Sequence, residues 1–104
     1  MDRFDQLLAT IIERRSADPA TSYVARLTAR GRAKLAQKLG EEAVEVVIAA
    51  MEDNKAGLIS ESADLMFHLA VLLADAGLSF GDIRAELARR EGVSGLDEKA
   101  GRRG

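Results

Sequence analysis

The stretch Lys38–Ala50, KLGEEAVEVVIAA, decides the fold. Three carboxylates, Glu41, Glu42 and Glu45, interrupt a run made almost entirely of Ala and Val. At about 100° per residue, with Glu41 set at zero, Lys34 lies near 20°, Glu45 near 40°, Lys38 near 60° and Glu42 near 100°. Val44, Val46, Val47 and Ala50 occupy most of the remaining circumference. A helix apolar on nearly all sides is expected to be buried, whereas a carboxylate is costly to bury. The segment therefore predicts a buried helix with a single charged stripe, and that stripe requires a compensating group.

Working outward, Leu58–Gly77, LISESADLMFHLAVLLADAG, repeats the design. Glu61, Asp64 and His68 fall within about 60° of one another on a helix, and Asp75 continues the seam. Phe67, Leu69, Ala70, Val71 and Leu73 spread around the other directions. Folding the two helices back on each other near Asn54 brings the Glu42/Glu45 pair level with the Glu61/Asp64 pair, to within a few ångströms at about 1.5 Å per residue. Each pair is spaced i, i+3, with Cβ atoms about 5–6 Å apart. Such a cluster in an apolar groove either holds protons at neutral pH or takes a cation. All-oxygen ligands select Mg²⁺ or Mn²⁺ over zinc or copper. A di-iron site of the ferritin type needs Glu-x-x-His on two helices, but position 64 is Asp and the chain has one His.

The rest of the chain fits an all-α, single-domain protein. Its 104 residues are 47% hydrophobic and 31% charged, a globular balance, and aromatics are only 4%, so the core is expected to be aliphatic. A net charge of −2 gives no electrostatic case for nucleic acid or an anionic membrane. With no Cys, disulfides and thiolate metal sites are excluded. The N-terminus is unlike a signal peptide, and no unbroken apolar run approaches the roughly 18 residues of a membrane span. The expectation is a cytoplasmic protein.

Phe4, Leu7, Leu8, Ile11 and Ile12 fall at helical spacing, with Asp2 and Asp5 near the favourable N-terminal end. Pro19 breaks the pattern. Thr21 or Ser22 caps a second segment through Tyr23, Arg26 and Leu27, and Gly31 kinks or splits the helix that continues to about Met51. A further helix runs from near Ala56 to Ala76, where Gly77 stops it. Ser79 and Asp82 form a capping box for a last helix reaching about Glu91. The Gly- and charge-rich tail, about 92–104, is expected to be mobile or partner-dependent. The fold class is a small antiparallel bundle of four to five helices. Two helices apolar on most faces need more cover than so short a chain provides, so the bundle is expected to be completed by homodimerisation.

Glu41-Glu42-x-x-Glu45 followed by Glu61-x-x-Asp64 resembles the signature of the all-α nucleoside-triphosphate pyrophosphohydrolases, the MazG and dimeric dUTPase superfamily. The longer strings SYVARL, KLAQKLGEEAVEVVIAA, ESADLMFHLAVLLADAGLS and ELARREGVSGLDEKA are similar to the phosphoribosyl-ATP pyrophosphohydrolase family of histidine biosynthesis, over roughly residues 2 to 100. The resemblance implies hydrolysis of phosphoribosyl-ATP to phosphoribosyl-AMP and pyrophosphate, Mg²⁺ dependence and a homodimer. Nothing resembles a following cyclohydrolase domain, so one step is expected.

By the same resemblance, Glu42, Glu45, Glu61 and Asp64 hold metal, and Glu41 orients or deprotonates the attacking water or supports a ligand. Lys34 and Lys38 are candidates for phosphate binding, or else balance the acids. Arg26, with Arg30, is a further phosphate candidate. Tyr23 is placed to stack on adenine or bond ribose, or else packs between helices. His68 is expected as a buried residue bracing a neighbour. In the tail, Lys99, Arg102 and Arg103 are candidates to close over polyphosphate, and Ser94-Gly95-Leu96 carries some ordered role. Two alternatives stand beside this: a house-cleaning (d)NTP pyrophosphohydrolase with the same metal site, and a non-enzymatic dimerisation module.

Overall fold

The computed structural model describes residues 1–91, which form five helices and, among the described residues, no strand. These are α1 (Arg3–Arg14), α2 (Tyr23–Ala29), α3 (Arg32–Met51), α4 (Lys55–Ala76) and α5 (Phe80–Arg90). The expectations for Ser94-Gly95-Leu96, Lys99, Arg102 and Arg103 lie outside the described residues.

Local chemistry sets most boundaries. Asp2 and Asp5 form a reciprocal capping box at α1. Of the two candidate caps for α2, Ser22 is the one used: its Oγ accepts from Ala25 N at 3.1 Å. Gly31, at φ +90°, splits α2 from α3, a backbone geometry that disfavours side-chain-bearing residues. Asn54 caps α4 by accepting from Gly57 N at 2.9 Å. Gly77 closes α4 in the left-handed conformation at φ +74°. Ser79 and Asp82 make the anticipated capping box, with Ser79 N donating to Asp82 Oδ2 at 2.8 Å and Asp82 N to Ser79 Oγ at 3.2 Å. Ser79→Ala is expected to lower stability by about 1 kcal/mol and the melting temperature by about 5 °C, measured by thermal unfolding. An unchanged melting temperature would show that α5 is held by tertiary contacts alone.

The core gathers around the C-terminal half of α4. Ala70, Val71, Leu73 and Ala74 pack against Leu8 and Ile11 of α1, Val24 and Leu27 of α2, Leu35 of α3 and Phe80 of α5. Phe4 and Phe80 meet with ring centroids 5.5 Å apart. Arg84 ties α5 to the start of α1 through Asp2 and Asp5, at 2.5 and 3.0 Å.

Asp75 departs from its expected place in the acidic seam. It accepts from Arg32 Nε at 2.5 Å and from Arg15 Nη2 at 3.2 Å. Arg15 Nη1 also donates to the Ala74 carbonyl at 2.8 Å, and Arg32 Nη2 to the Asp75 carbonyl at 3.2 Å. Two guanidiniums thus satisfy the C-terminal end of α4, where cations are favoured. Asp75 holds the bundle together and belongs to no ligand cluster among the described residues.

Within the single chain the apolar sides of α3 and of the first half of α4 are not covered. Only Leu35 and Ala49 of α3 are buried, and Val44, Val47, Ile48 and Met51 are exposed, as is Ile59 of α4. The buried core lies toward the C-terminal half of α4, while Arg3, Phe4 and Leu7 of α1 face Ile59, Ser62 and Ala63 in its first half across an open groove. By length and composition α4 is also apolar enough to cross a membrane. Its buried C-terminal half and its acids Glu61 and Asp64 suit a core helix with a polar seam equally well.

Candidate active site

The tight turn at Glu52–Asn54, with Asp53 at φ +54°, reverses the chain and sets α3 and α4 side by side. Three of the four acids that the spacing aligns meet there. One carboxylate oxygen from each of Glu42, Glu61 and Asp64 lies within 4.8 Å of the others. Glu42 and Glu61 are half-buried and Asp64 is exposed. Partial burial raises the Glu61 pKa, and the negative charges of Asp64, Glu45 and Glu42 raise it further. Glu45 is thus close enough to act on Glu61, although it is exposed and stands outside the three-carboxylate cluster. Oxygen-only donors short of positive charge are the chemistry that fits a hard divalent cation.

Glu41 sits elsewhere on α3. Gln37 Nε2 donates to its Oε2 at 3.1 Å, and Lys38 Nζ lies 3.6 Å from its Oε1. The Gln37 bond chiefly, with the charges of Lys38 and Lys34, keeps its carboxyl below the usual range. Lys34 Nζ donates to Gln37 Oε1 at 3.3 Å, so Lys34, Gln37, Glu41 and Lys38 form one polar chain along α3. Gln37 was missed by the sequence reading, and its i, i+4 spacing to Glu41 was the available signal.

His68 is buried, with 7% exposure. Its Nε2 lies 3.9 Å from Glu42 Oε1, beyond hydrogen-bond reach, and its Nδ1 has no partner among the described residues. Burial lowers its pKa and Lys38 adds to this, against the opposing pull of Glu42 and Asp64. The ring is therefore read as neutral, so its approach to Glu42 is packing and not an ion pair. His68 is thus buried as expected, and it meets its neighbour Glu42 without a hydrogen bond.

Beyond His68 lies an aromatic row. Phe67 meets the His68 ring at 5.2 Å, and Tyr23 lies nearly parallel to Phe67 at 6.1 Å and 16°. Tyr23 is half exposed. With Phe67 it lines a cavity of about 430 Å³, completed by Arg14, Ala17, Thr21, Ser22 and Val24. Arg14 is a second residue that the sequence reading missed. Arg26 does not line this cavity; its Nε donates to the Pro19 carbonyl at 3.2 Å. Arg30 is exposed at the end of α2.

The chain has relatives among known proteins. The sequence pattern of the family described as phosphoribosyl-ATP pyrophosphohydrolase matches residues 4–91, nearly the whole described chain. A phosphoribosyl-ATP pyrophosphatase of Rhizorhabdus wittichii is 65% identical over 98 residues, covering 94% of this chain and 92% of that protein. One from Zymomonas mobilis is 62% identical over 94 residues, covering 90% of this chain and 88% of that protein. One from Erythrobacter litoralis is 57% identical over 102 residues, covering 98% of both. All the residues that form the acidic cluster and the aromatic row fall inside the matched span. By its sequence, over nearly its whole described length, the chain belongs to the phosphoribosyl-ATP pyrophosphohydrolase family.

Proposed function

We propose that this chain hydrolyses phosphoribosyl-ATP to phosphoribosyl-AMP and pyrophosphate, a step of histidine biosynthesis, with Mg²⁺ as its cofactor. The observation that carries the reading is the meeting of Glu42, Glu61 and Asp64 across α3 and α4, in a chain whose relatives bear that activity in their names. Glu42, Glu61 and Asp64 would hold the ion, with Glu45 at the rim; Mn²⁺ suits the same donors. When bound, the cation neutralises charge on the triphosphate and orients water for attack between the α and β phosphates.

The chain's own groups supply the positioning that phosphoryl transfer chiefly needs. Glu41, held ionised by Gln37 and Lys38, is better suited to accept a hydrogen bond from the attacking water, and so orient it, than to store a proton. Lys34 and Lys38 place two ammonium groups beside the acids for phosphate oxygens. His68 packs against Glu42 and limits where that carboxylate can turn.

The working unit in this reading is a homodimer in the cytoplasm. Its support is the exposed apolar stripe of Val44, Val47, Ile48 and Met51, one face of the helix that carries Glu42 and Glu45. A contiguous apolar face of this kind marks an interaction surface.

The test is pyrophosphate release by the purified chain, with and without chelator. Release that needs Mg²⁺ and yields pyrophosphate, not orthophosphate, is expected; chelator-insensitive release would overturn the metal assignment. Mg²⁺ at about a hundred times its Kd is also expected to stabilise the folded protein by about 2.7 kcal/mol, a rise in melting temperature on the order of 10 °C. Calorimetry showing no shift would count against the site.

A further inference from the structure

We propose that the Arg14–Tyr23 cavity is the subsite for the phosphoribosyl group of the substrate, the part that ATP lacks, and that Arg14 is the residue that binds its phosphate. The inference rests on the reaction proposed above and adds a specificity-determining residue to it.

The two sites have opposite electrostatics. The α3/α4 cluster is built of carboxylates, so a phosphate chain reaches it only with a cation between them. Among the described residues no carboxylate lines the cavity, and its one charged side chain is the Arg14 guanidinium. A bare phosphomonoester, carrying up to two negative charges, suits that second environment. One substrate with a triphosphate at one end and a monophosphate at the other needs both kinds of site, and the structure supplies them side by side. Phe67 lines the cavity and touches His68, whose imidazole stands 3.9 Å from Glu42. The volume of about 430 Å³ is ample for a pentose phosphate with part of its base.

The cavity is also held in shape. Ser22 Oγ donates to the Arg14 carbonyl at 3.3 Å, fastening the loop after α1 onto the end of that helix. The turn in this loop is closed by Asp18, whose carbonyl accepts from Thr21 N at 3.0 Å and Ser22 N at 2.9 Å. The Arg14 guanidinium makes no ion pair among the described residues, so its donors are available to a ligand. Arg15, its neighbour in sequence, is instead committed to Asp75 and the Ala74 carbonyl. The adjacent arginines thus divide into one that binds the fold and one that faces the cavity.

The test is steady-state kinetics of Arg14→Gln and Arg14→Lys with phosphoribosyl-ATP and with ATP, beside an NMR titration of the wild-type protein with ribose 5-phosphate. Arg14→Gln is expected to raise KM for phosphoribosyl-ATP about tenfold or more, the loss of a charge-assisted bond. The accompanying kcat should stay within a few-fold, kcat/KM for ATP should be unchanged, and Arg14→Lys should recover part of the loss. Ribose 5-phosphate should shift the Tyr23 and Phe67 ring signals in wild type and not in Arg14→Gln. Equal losses on both substrates, or unchanged KM, would overturn the subsite. If the wild-type chain fails to turn over phosphoribosyl-ATP, the proposed reaction fails, and the titration still decides whether the cavity binds a sugar phosphate.

Discussion

Asp64→Asn is expected to lower kcat by roughly 10²- to 10³-fold and to leave the metal-free protein as stable as the parent or more so. The two halves of this result have one cause. Asp64 contributes an oxygen to the cluster with Glu42 and Glu61, and its charge is among those that raise the Glu61 pKa. In the metal-free chain these like charges oppose folding, so neutralising one relieves repulsion. In the proposed reaction the same charge would help to hold the cation, so its loss would weaken the site that takes the triphosphate. Glu45→Gln should behave alike but more mildly, because Glu45 stands at the rim. Parallel assays of turnover and thermal unfolding check this. Strong destabilisation by Asp64→Asn would instead show that the carboxylate supports the fold.

Val47→Glu is expected to convert a dimer into a monomer and to remove most activity. Val47 is 59% exposed in the single chain and lies at the centre of the stripe Val44, Val47, Ile48 and Met51. In a two-fold dimer the substitution acts twice, placing an unpaired carboxylate in apolar surroundings on each side. Weakening of association by roughly 10³-fold follows from a cost of about 2 kcal/mol per site. Activity should fall with it, because the stripe shares its helix with Glu42 and Glu45. Sedimentation across a range of concentrations decides the point. A wild-type chain that sediments as a monomer, or a Val47→Glu chain that stays dimeric and active, would remove the dimer from the account.

How far the sequence could be read depended on the reach of the interactions. Helix ends were legible because their causes lie within four residues: the Ser79/Asp82 box, Ser22 as a cap, and Gly31 and Gly77 at positive φ. The acidic cluster was legible because a short hairpin turn and the helical repeat together fix which side chains face each other. That Glu42, and not Glu41, enters it was less so, since the two differ only by about 100° of helix rotation. Asp75 shares the angular sector of Glu61 and Asp64 but lies more than two turns further along α4, where it meets Arg15 and Arg32. Nothing in local pattern announces partners so distant in the chain. The cavity was hidden for the same reason: Arg14, Tyr23 and Phe67 come from α1, α2 and α4, and only their packing joins them. The apolar faces of α3 were legible as a demand for cover, but what supplies that cover was not, because an apolar pattern does not name its partner.

Whether the α3/α4 seam is the proposed metal-dependent pyrophosphohydrolase site serving phosphoribosyl-ATP is decided by product analysis with purified protein and Mg²⁺, presenting phosphoribosyl-ATP, ATP and dUTP side by side. Pyrophosphate released mainly from phosphoribosyl-ATP, with phosphoribosyl-AMP as the other product, is the predicted result. Turnover of only ATP or dUTP would contradict the substrate assignment, and no release from any of the three would contradict the site itself.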